Sequence, residues 1–213
     1  MEIKTGDEHF IYDGMPAGFI LDDFWRWQAS DLLSNTLRGV LAEFIVAKAL
    51  KIETSHPRVE WDAYDLLFHN RECIEVKASA YVQSWDQKKK TAVRFSIRPT
   101  KTWEGETGFS DDVDRRSHMY IFCFLAECDR EKVNPLLLDQ WEFYPVLTSE
   151  INEKLGDQQS ISLTTLKSLC PEAFDFISLR DAAIWLLSGR SDSDARRRID
   201  EHNALKRARK EIG

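Results

Sequence analysis

Glu75 and Lys77 stand two residues apart in the run Ile74-Glu75-Val76-Lys77. A Glu-x-Lys triplet alone is uninformative, since it arises by chance about once in 200 residues of average composition. Its setting carries the information. On a strand, alternate side chains share a face, so Glu75 and Lys77 point one way while Ile74 and Val76 point into a core. A carboxylate and an ammonium are then held side by side on a rigid element. Asp65 lies upstream, before the polar stretch His69-Asn70-Arg71. If that stretch is a turn centred on Asn70, Asp65 falls directly opposite Glu75, and Ala63 opposite Lys77 leaves room for the long side chain. Two acids facing each other repel, a cost that a divalent cation between them removes; Mg²⁺ takes oxygen ligands and keeps several waters. A third acid, Glu43, is the sole charge in the run Val40–Ala47. A carboxylate in such a stretch is costly unless paired or bound to metal. Gly39 lies one turn earlier, where a mid-helix glycine costs about 1 kcal/mol. Close approach of another backbone, or of a substrate, would justify that cost.

Each of these residues also has a plainer reading. Asp65, Glu75 and Lys77 could form an exposed hairpin face with a salt bridge, and Glu43 could reach solvent or pair with Arg38. Asp62 is a rival ligand to Asp65, but three residues away on a regular strand it points to the other face.

The elements that must position these groups follow from periodicity and punctuation. The first 20 residues read as irregular, broken by Gly6, Gly14, Pro16 and Gly18. Asp22 or Asp23 is placed to cap a helix that begins with Phe24 and Trp25. A long helix is expected over Asp31–Leu50, with Leu33, Leu37, Val40, Leu41, Phe44 and Ala47 at helical spacing. His56-Pro57 ends it. Two strands, Ala63–Phe68 and Cys73–Ala80, flank the polar turn, and an alternating third runs over Thr91–Arg98. Lys101–Ser117 reads as a surface loop. Met119–Ala126 is apolar almost throughout, as suits a strand covered on both faces. Trp141–Leu147 is strand-like, and Pro145 assigns it to an edge. Ser178 with Asp181 resembles a capping box for a helix through Leu187, closed by Gly189. A charged helix fills 191–213. The expectation is an α/β protein in three parts: an N-terminal segment, 1–30, packing on the core; the core itself, 31–130; and a mixed α/β extension, 131–213, ending in the charged helix.

The composition, 43% hydrophobic and 11% aromatic over 213 residues, is that of a globular protein with a real core. The start has no basic and apolar leader pattern, and the longest apolar run is too short for a bilayer, so a cytoplasmic, soluble protein is expected. Cys73, Cys123, Cys128 and Cys170 form no CxxC pair and read as reduced structural thiols. A net charge of −7 argues against coating nucleic acid non-specifically. Residues 76–101 nevertheless carry seven cations against one acid, with Lys88-Lys89-Lys90, Arg94 and Arg98 among them. That is enough for a local basic surface. A second cluster, Arg196 to Lys210, is interrupted by Asp200 and Glu201 and reads equally as a solvated helix face.

A helical Glu, a strand Asp and a Glu-x-Lys about ten residues later, over roughly residues 32–126, resemble the PD-(D/E)xK nuclease superfamily of restriction endonucleases, resolvases and repair nucleases. Tyr64 replaces that family's proline. The resemblance implies a restriction-endonuclease-like mixed central sheet flanked by helices, with a second core helix where the sequence reads the loop 101–117. It implies a Mg²⁺- or Mn²⁺-dependent endonuclease acting on DNA. Asp65, Glu75 and the Val76 carbonyl would bind the metal, Glu43 would support a metal water or a second metal, and Lys77 would hold the attacking water and offset phosphorane charge. Ser79 and Gln83, with Tyr81 and Trp85, keep the parity of Lys77 and would extend the face toward substrate if the strand continues. Lys88, Lys89, Lys90 and Arg94 would meet DNA phosphates. The competing expectations are a non-cutting nucleic-acid- or protein-binding module, and a subunit that cuts only within a larger complex. A homodimer is compatible with either.

Overall fold

The computed structural model describes residues 2–58, 64–87, 92–103 and 109–212, of which 101–103, 109–112 and 209–212 are described by backbone alone. The chain opens with a hairpin of β1 (His9–Tyr12) and β2 (Met15–Ile20) that runs into α1 (Leu21–Ala29). The first 20 residues are therefore not irregular. Asp13 and Gly14 form a two-residue turn with φ of 49° and 76°. Two positive values in succession make the mirror-image turn that matches strand twist and favours Asp-Gly. Asp23 sits within the first turn of α1, and its carboxylate accepts from the Ile20 N–H at 3.0 Å.

The long helix is α2 (Asn35–Leu50). It begins four residues later than expected because Ser34 caps it, its hydroxyl accepting from the Leu37 N–H at 3.3 Å. Then come β3 (Leu66–Phe68), β4 (Glu72–Ala80) and β5 (Arg94–Ser96). The expected loop 101–117 holds a hairpin of β6 (Thr100–Trp103) and β7 (Phe109–Asp114). The chain continues through β8 (Met119–Leu125), β9 (Trp141–Leu147), α3 (Thr148–Leu155), β10 (Ser160–Ser162), α4 (Leu163–Leu169), α5 (Leu179–Leu187) and α6 (Ser193–Ile212). Among the described residues no helix is long and apolar enough to cross a membrane.

The central sheet has the order β3-β4-β8-β9, with β4 and β8 parallel and the outer pairs antiparallel. It is a mixed sheet in an α/β fold. All seven residues of β8 are buried between two neighbours, as its apolar run implied. Pro145 lies on edge strand β9, opposite Ile121, where a missing N–H is tolerated.

Strand parity divides the core. Ile74 and Val76 of β4 and Met119, Ile121 and Cys123 of β8 face α2, which contributes Ala42, Ile45, Val46 and Leu50. On this same face α5 packs through Leu179, Ala182 and Ala183. The second helix on that face is thus α5, after β9; in the described part of the connection to β8 the chain has the hairpin instead. The opposite face carries Tyr120, Phe122, Phe124, Tyr144 and Val146 against Phe95, Ile97, Ile151, Ile161 and Leu166. Each fully buried aromatic or aliphatic side chain is worth about 1.5–3 kcal/mol. Residues beyond 130 supply β9 and α5 to this core.

The capping box expected at α5 does not form. Ser178 bonds instead to Asp175, its hydroxyl donating to Oδ1 at 2.8 Å, and Asp181 is held by Arg198 at 2.8 Å. A reciprocal Asp–Ser turn, completed by the Ser178 N–H on Asp175 Oδ1 at 3.1 Å, takes the hydroxyl that would have capped the helix.

Candidate active site

The β3–β4 hairpin has the register the polar turn demands: Leu66 opposite Ile74, Leu67 opposite Cys73, Phe68 opposite Glu72. His69 and Asn70 take left-handed backbone to make the turn. β3 begins at Leu66, so Asp65 sits at the point where the ladder ends. Its N–H donates to the Ile74 carbonyl at 3.1 Å, and its Oδ2 accepts from the Val76 N–H at 2.7 Å. The Asp65 carboxylate therefore takes the position of the missing β3 carbonyl along the uncovered edge of β4. A residue's N–H and C=O point to the same side of a strand, so the Val76 carbonyl faces this edge as well.

Glu75 and Lys77 share the other parity and are ion-paired with each other. Their side chains are 22% and 30% exposed, so the pair is half-buried rather than a solvated hairpin face. Glu43 approaches from α2, which covers the opposite face of the sheet. Asp65 and Glu43 are near enough to Glu75 for their charges to act on it. Burial pushes the Glu75 carboxyl above the ordinary glutamate value; Lys77 pulls it back, and the charges of Asp65 and Glu43 push it up again. Tyr120, the register neighbour of Glu75 on β8, is pushed up to about 12, by burial first and by the Glu75 charge second. Glu43 and Asp65 line one cleft of about 580 Å³ together with Phe44, Pro57, Arg58 and Tyr64.

Glu43 is paired, but not with Arg38. Arg58 holds it with two hydrogen bonds, Nε to Oε2 and Nη2 to Oε1, the second at 3.0 Å. Arg58 is the functional candidate that the sequence did not single out. The signal was a lone acid in an apolar helix that needed a cation, but Arg58 is 15 residues away, beyond the end of α2, and no spacing rule connects them. Arg38 turns inward and is 4% exposed, donating to the Leu33 carbonyl at 2.8 Å and to Gln83 Oε1 at 3.2 Å.

The other substrate-binding candidates are dispersed. β4 ends at Ala80, so the shared parity reaches Ser79, which is buried, and stops before Tyr81, Gln83 and Trp85. Gln83 is 3% exposed; its Oε1 accepts from Arg38 and its Nε2 donates to the Ala80 carbonyl at 2.9 Å. Its polar atoms are spent inside the protein, tying α2 to the loop after β4. Arg94 is exposed on β5, where alternation buries Val93 and Phe95 instead. Lys88, Lys89 and Lys90 lie outside the described residues, as does Asp62. All four cysteines are free thiols, and burial raises Cys123 well above the usual range, consistent with a structural role.

Among the described residues, no three carboxylates, imidazoles or thiols stand close enough to form a ready-made cage for a metal. A hard cation such as Mg²⁺ takes oxygen ligands and keeps several waters. The donors here, carboxylates beside a backbone carbonyl, are of that chemical type. Residues 23–165, two thirds of the chain and including all four candidate residues, match the family model described as bacteriophage T4 endonuclease IV. No curated protein and no solved structure matches the chain.

Proposed function

The chain belongs to the bacteriophage T4 endonuclease IV family, and from that premise we propose that it is a Mg²⁺- or Mn²⁺-dependent DNA endonuclease with a PD-(D/E)xK-type centre. One observation carries the reading. The charges of Asp65 and Glu43 both reach the half-buried Glu75, and Lys77 is ion-paired with Glu75. A fold that gathers like charges at a half-buried point incurs a cost unless a cation relieves it.

In this reading Asp65 and Glu75 would hold the metal, with the Val76 carbonyl beside them on the open edge of β4, and Glu43 would orient water beside it. When bound, the metal polarises the scissile phosphate and lowers the pKa of its water. Lys77 positions the attacking water and offsets the charge that grows on the phosphorane. Arg94 and the 88–90 lysines supply positive charge for DNA phosphates.

The test is nicking of supercoiled plasmid with added Mg²⁺ or Mn²⁺, together with metal calorimetry. Asp65→Ala and Glu75→Ala should lose metal affinity and cleavage together. Lys77→Ala should retain the metal and lose about a hundredfold to a thousandfold in rate, the usual cost of removing a group that stabilises transition-state charge. A Lys77→Ala protein that cuts as well as wild type overturns the assignment of roles. A wild-type chain that cuts no DNA with either metal overturns the enzyme reading in favour of a binding module or complex subunit.

A further inference from the structure

The N-terminal unit, residues 2–30, takes no part in the core. β1, β2 and α1 contribute no residue to either apolar cluster, and no residue of α1 is buried. Among the described residues its hydrogen bonds and ion pairs are internal. The Leu21 N–H donates to the Glu8 carbonyl at 2.9 Å, the Asp22 N–H donates to the Gly6 carbonyl at 2.9 Å, and Arg26 pairs with Asp22. Of the seventeen large apolar side chains exposed among the described residues, nine lie on this unit, with Tyr12 80% and Trp27 82% exposed. A two-stranded hairpin alone is marginally stable at best, and monomeric proteins rarely leave large apolar patches open. Both facts call for a covering surface.

Charge says what kind of surface that is. Residues 2–30 hold six carboxylates against Lys4 and Arg26, a net charge of −4. Nucleic-acid phosphates and anionic lipid surfaces repel such a unit. The complementary surface is on this same chain. Leu138, Phe176, Ile177 and Leu205 line a groove of about 470 Å³, where Ile177 is 65% and Leu205 61% exposed, and no residue of the N-terminal unit lines it. His202 and Lys206 line it too, both held by Asp175, at 2.9 and 2.8 Å. Residues 202–210 of α6 carry Lys206, Arg207, Arg209 and Lys210 and no acid, a net charge of +4.

We infer that the N-terminal unit is a dimerisation arm whose aromatic side chains dock in the α6 groove of a second copy, each copy's arm in the other's groove. Opposite charge steers and orients the encounter, and apolar burial holds it. The exchange closes at two copies because each supplies one arm and one groove. The arm has six aromatic side chains. Covered aromatics bury about 150–250 Å² each, so two arms reach the roughly 1,200–2,000 Å² of a stable interface even when half-covered.

The experiment is sedimentation equilibrium of the full chain over micromolar concentrations, on wild type, an arm variant (Tyr12→Ser/Trp27→Ser) and a groove variant (Ile177→Ser/Leu205→Ser). All four side chains are exposed, so each variant should keep its fold, with thermal melts as the control. Wild type should form a dimer. Each variant alone should dimerise about thirtyfold or more weakly, the loss expected on truncating central anchors of an interface. The equimolar mixture is the decisive measurement. There the intact groove of the arm variant meets the intact arm of the groove variant, so mixed dimers should form more tightly than either variant pairs with itself. A wild-type chain that stays monomeric throughout overturns the inference. So does a groove variant that dimerises as wild type does, the mark of arm packing on arm. A mixture no tighter than its components overturns it as well, and assemblies that grow past two copies overturn the closed exchange.

Discussion

Gly39→Ala separates stability from function. Gly39 is the fifth residue of α2, well inside a helix of 16 residues. Among the described residues, outside its own helix, a Cβ built there meets no atom within 4 Å. No described part of the chain approaches closely enough to call for a glycine at this place. Adding the methyl group should stabilise the fold by about 0.5–1 kcal/mol through helix propensity and a less flexible unfolded chain. For a chain of this size that corresponds to a rise in Tm of about 1–4 °C. Gly39 is one turn before Glu43, on the same side of α2, so the open space beside it adjoins the proposed centre. If the DNA backbone enters that space, the methyl group displaces the substrate, and a misplacement of about 1 Å costs up to about a hundredfold in rate. The expected result is a more stable protein that cuts plasmid about ten- to a hundredfold more slowly. Thermal melting and nicking assays on the same preparation check both halves. A variant that gains stability and cuts as fast as wild type refutes the claim that substrate approaches α2 at this point.

Glu75→Gln should also trade function for stability. Burial raises the native Glu75 carboxyl, so between its ordinary value and its raised value the folded state binds more protons than the unfolded one, and stability falls as pH rises through that window. The amide variant should remove this dependence, be more stable than wild type near neutral pH, and lose Mn²⁺ binding; melts across pH with calorimetry show whether it does. Cleavage by wild type should rise as pH climbs past the raised Glu75 value, since the metal needs the carboxylate, and a profile flat across that region contradicts the ligand role. Arg38→Ala removes a buried cation hydrogen-bonded to Leu33, Asn35 and Gln83, and should lower stability by about 2–4 kcal/mol, read as a urea midpoint shift at unchanged slope. Replacing Lys88, Lys89 and Lys90 by glutamine should reduce the salt dependence of DNA binding by about 0.9 in log–log slope for each phosphate no longer neutralised, and an unchanged slope would show them to be merely solvated.

Much of this protein can be read from local pattern. Alternation along 74–80 gives β4 its two faces, the polar turn at Asn70 sets the register, and the apolar run at 119–125 must be covered on both sides. These are consequences of a two-residue period and of turn chemistry, which act between near neighbours. The Asp13-Gly14 turn was equally local and was obscured by the glycines and proline around it. Other features depend on where distant segments come to rest. Asp65 serves β4 by its side chain because β3 is too short to supply a carbonyl there. Gln83 is buried because β4 ends at Ala80 and Arg38 waits beneath the loop. α5 takes the place of a helix expected earlier in the chain because its small residues fit against α2 on the sheet. The choice of Arg58 for Glu43, rather than the nearer Arg38, follows from which cation the backbone carries to the mouth of the cleft. Residue type and spacing determined which groups could do chemistry and on which strand face two of them stand. The Glu75–Lys77 pair is local to β4, but tertiary structure alone decided the partner of Glu43 and that of Gln83, because a polar group pairs with whatever the fold brings within a few ångströms, and sequence separation does not limit that.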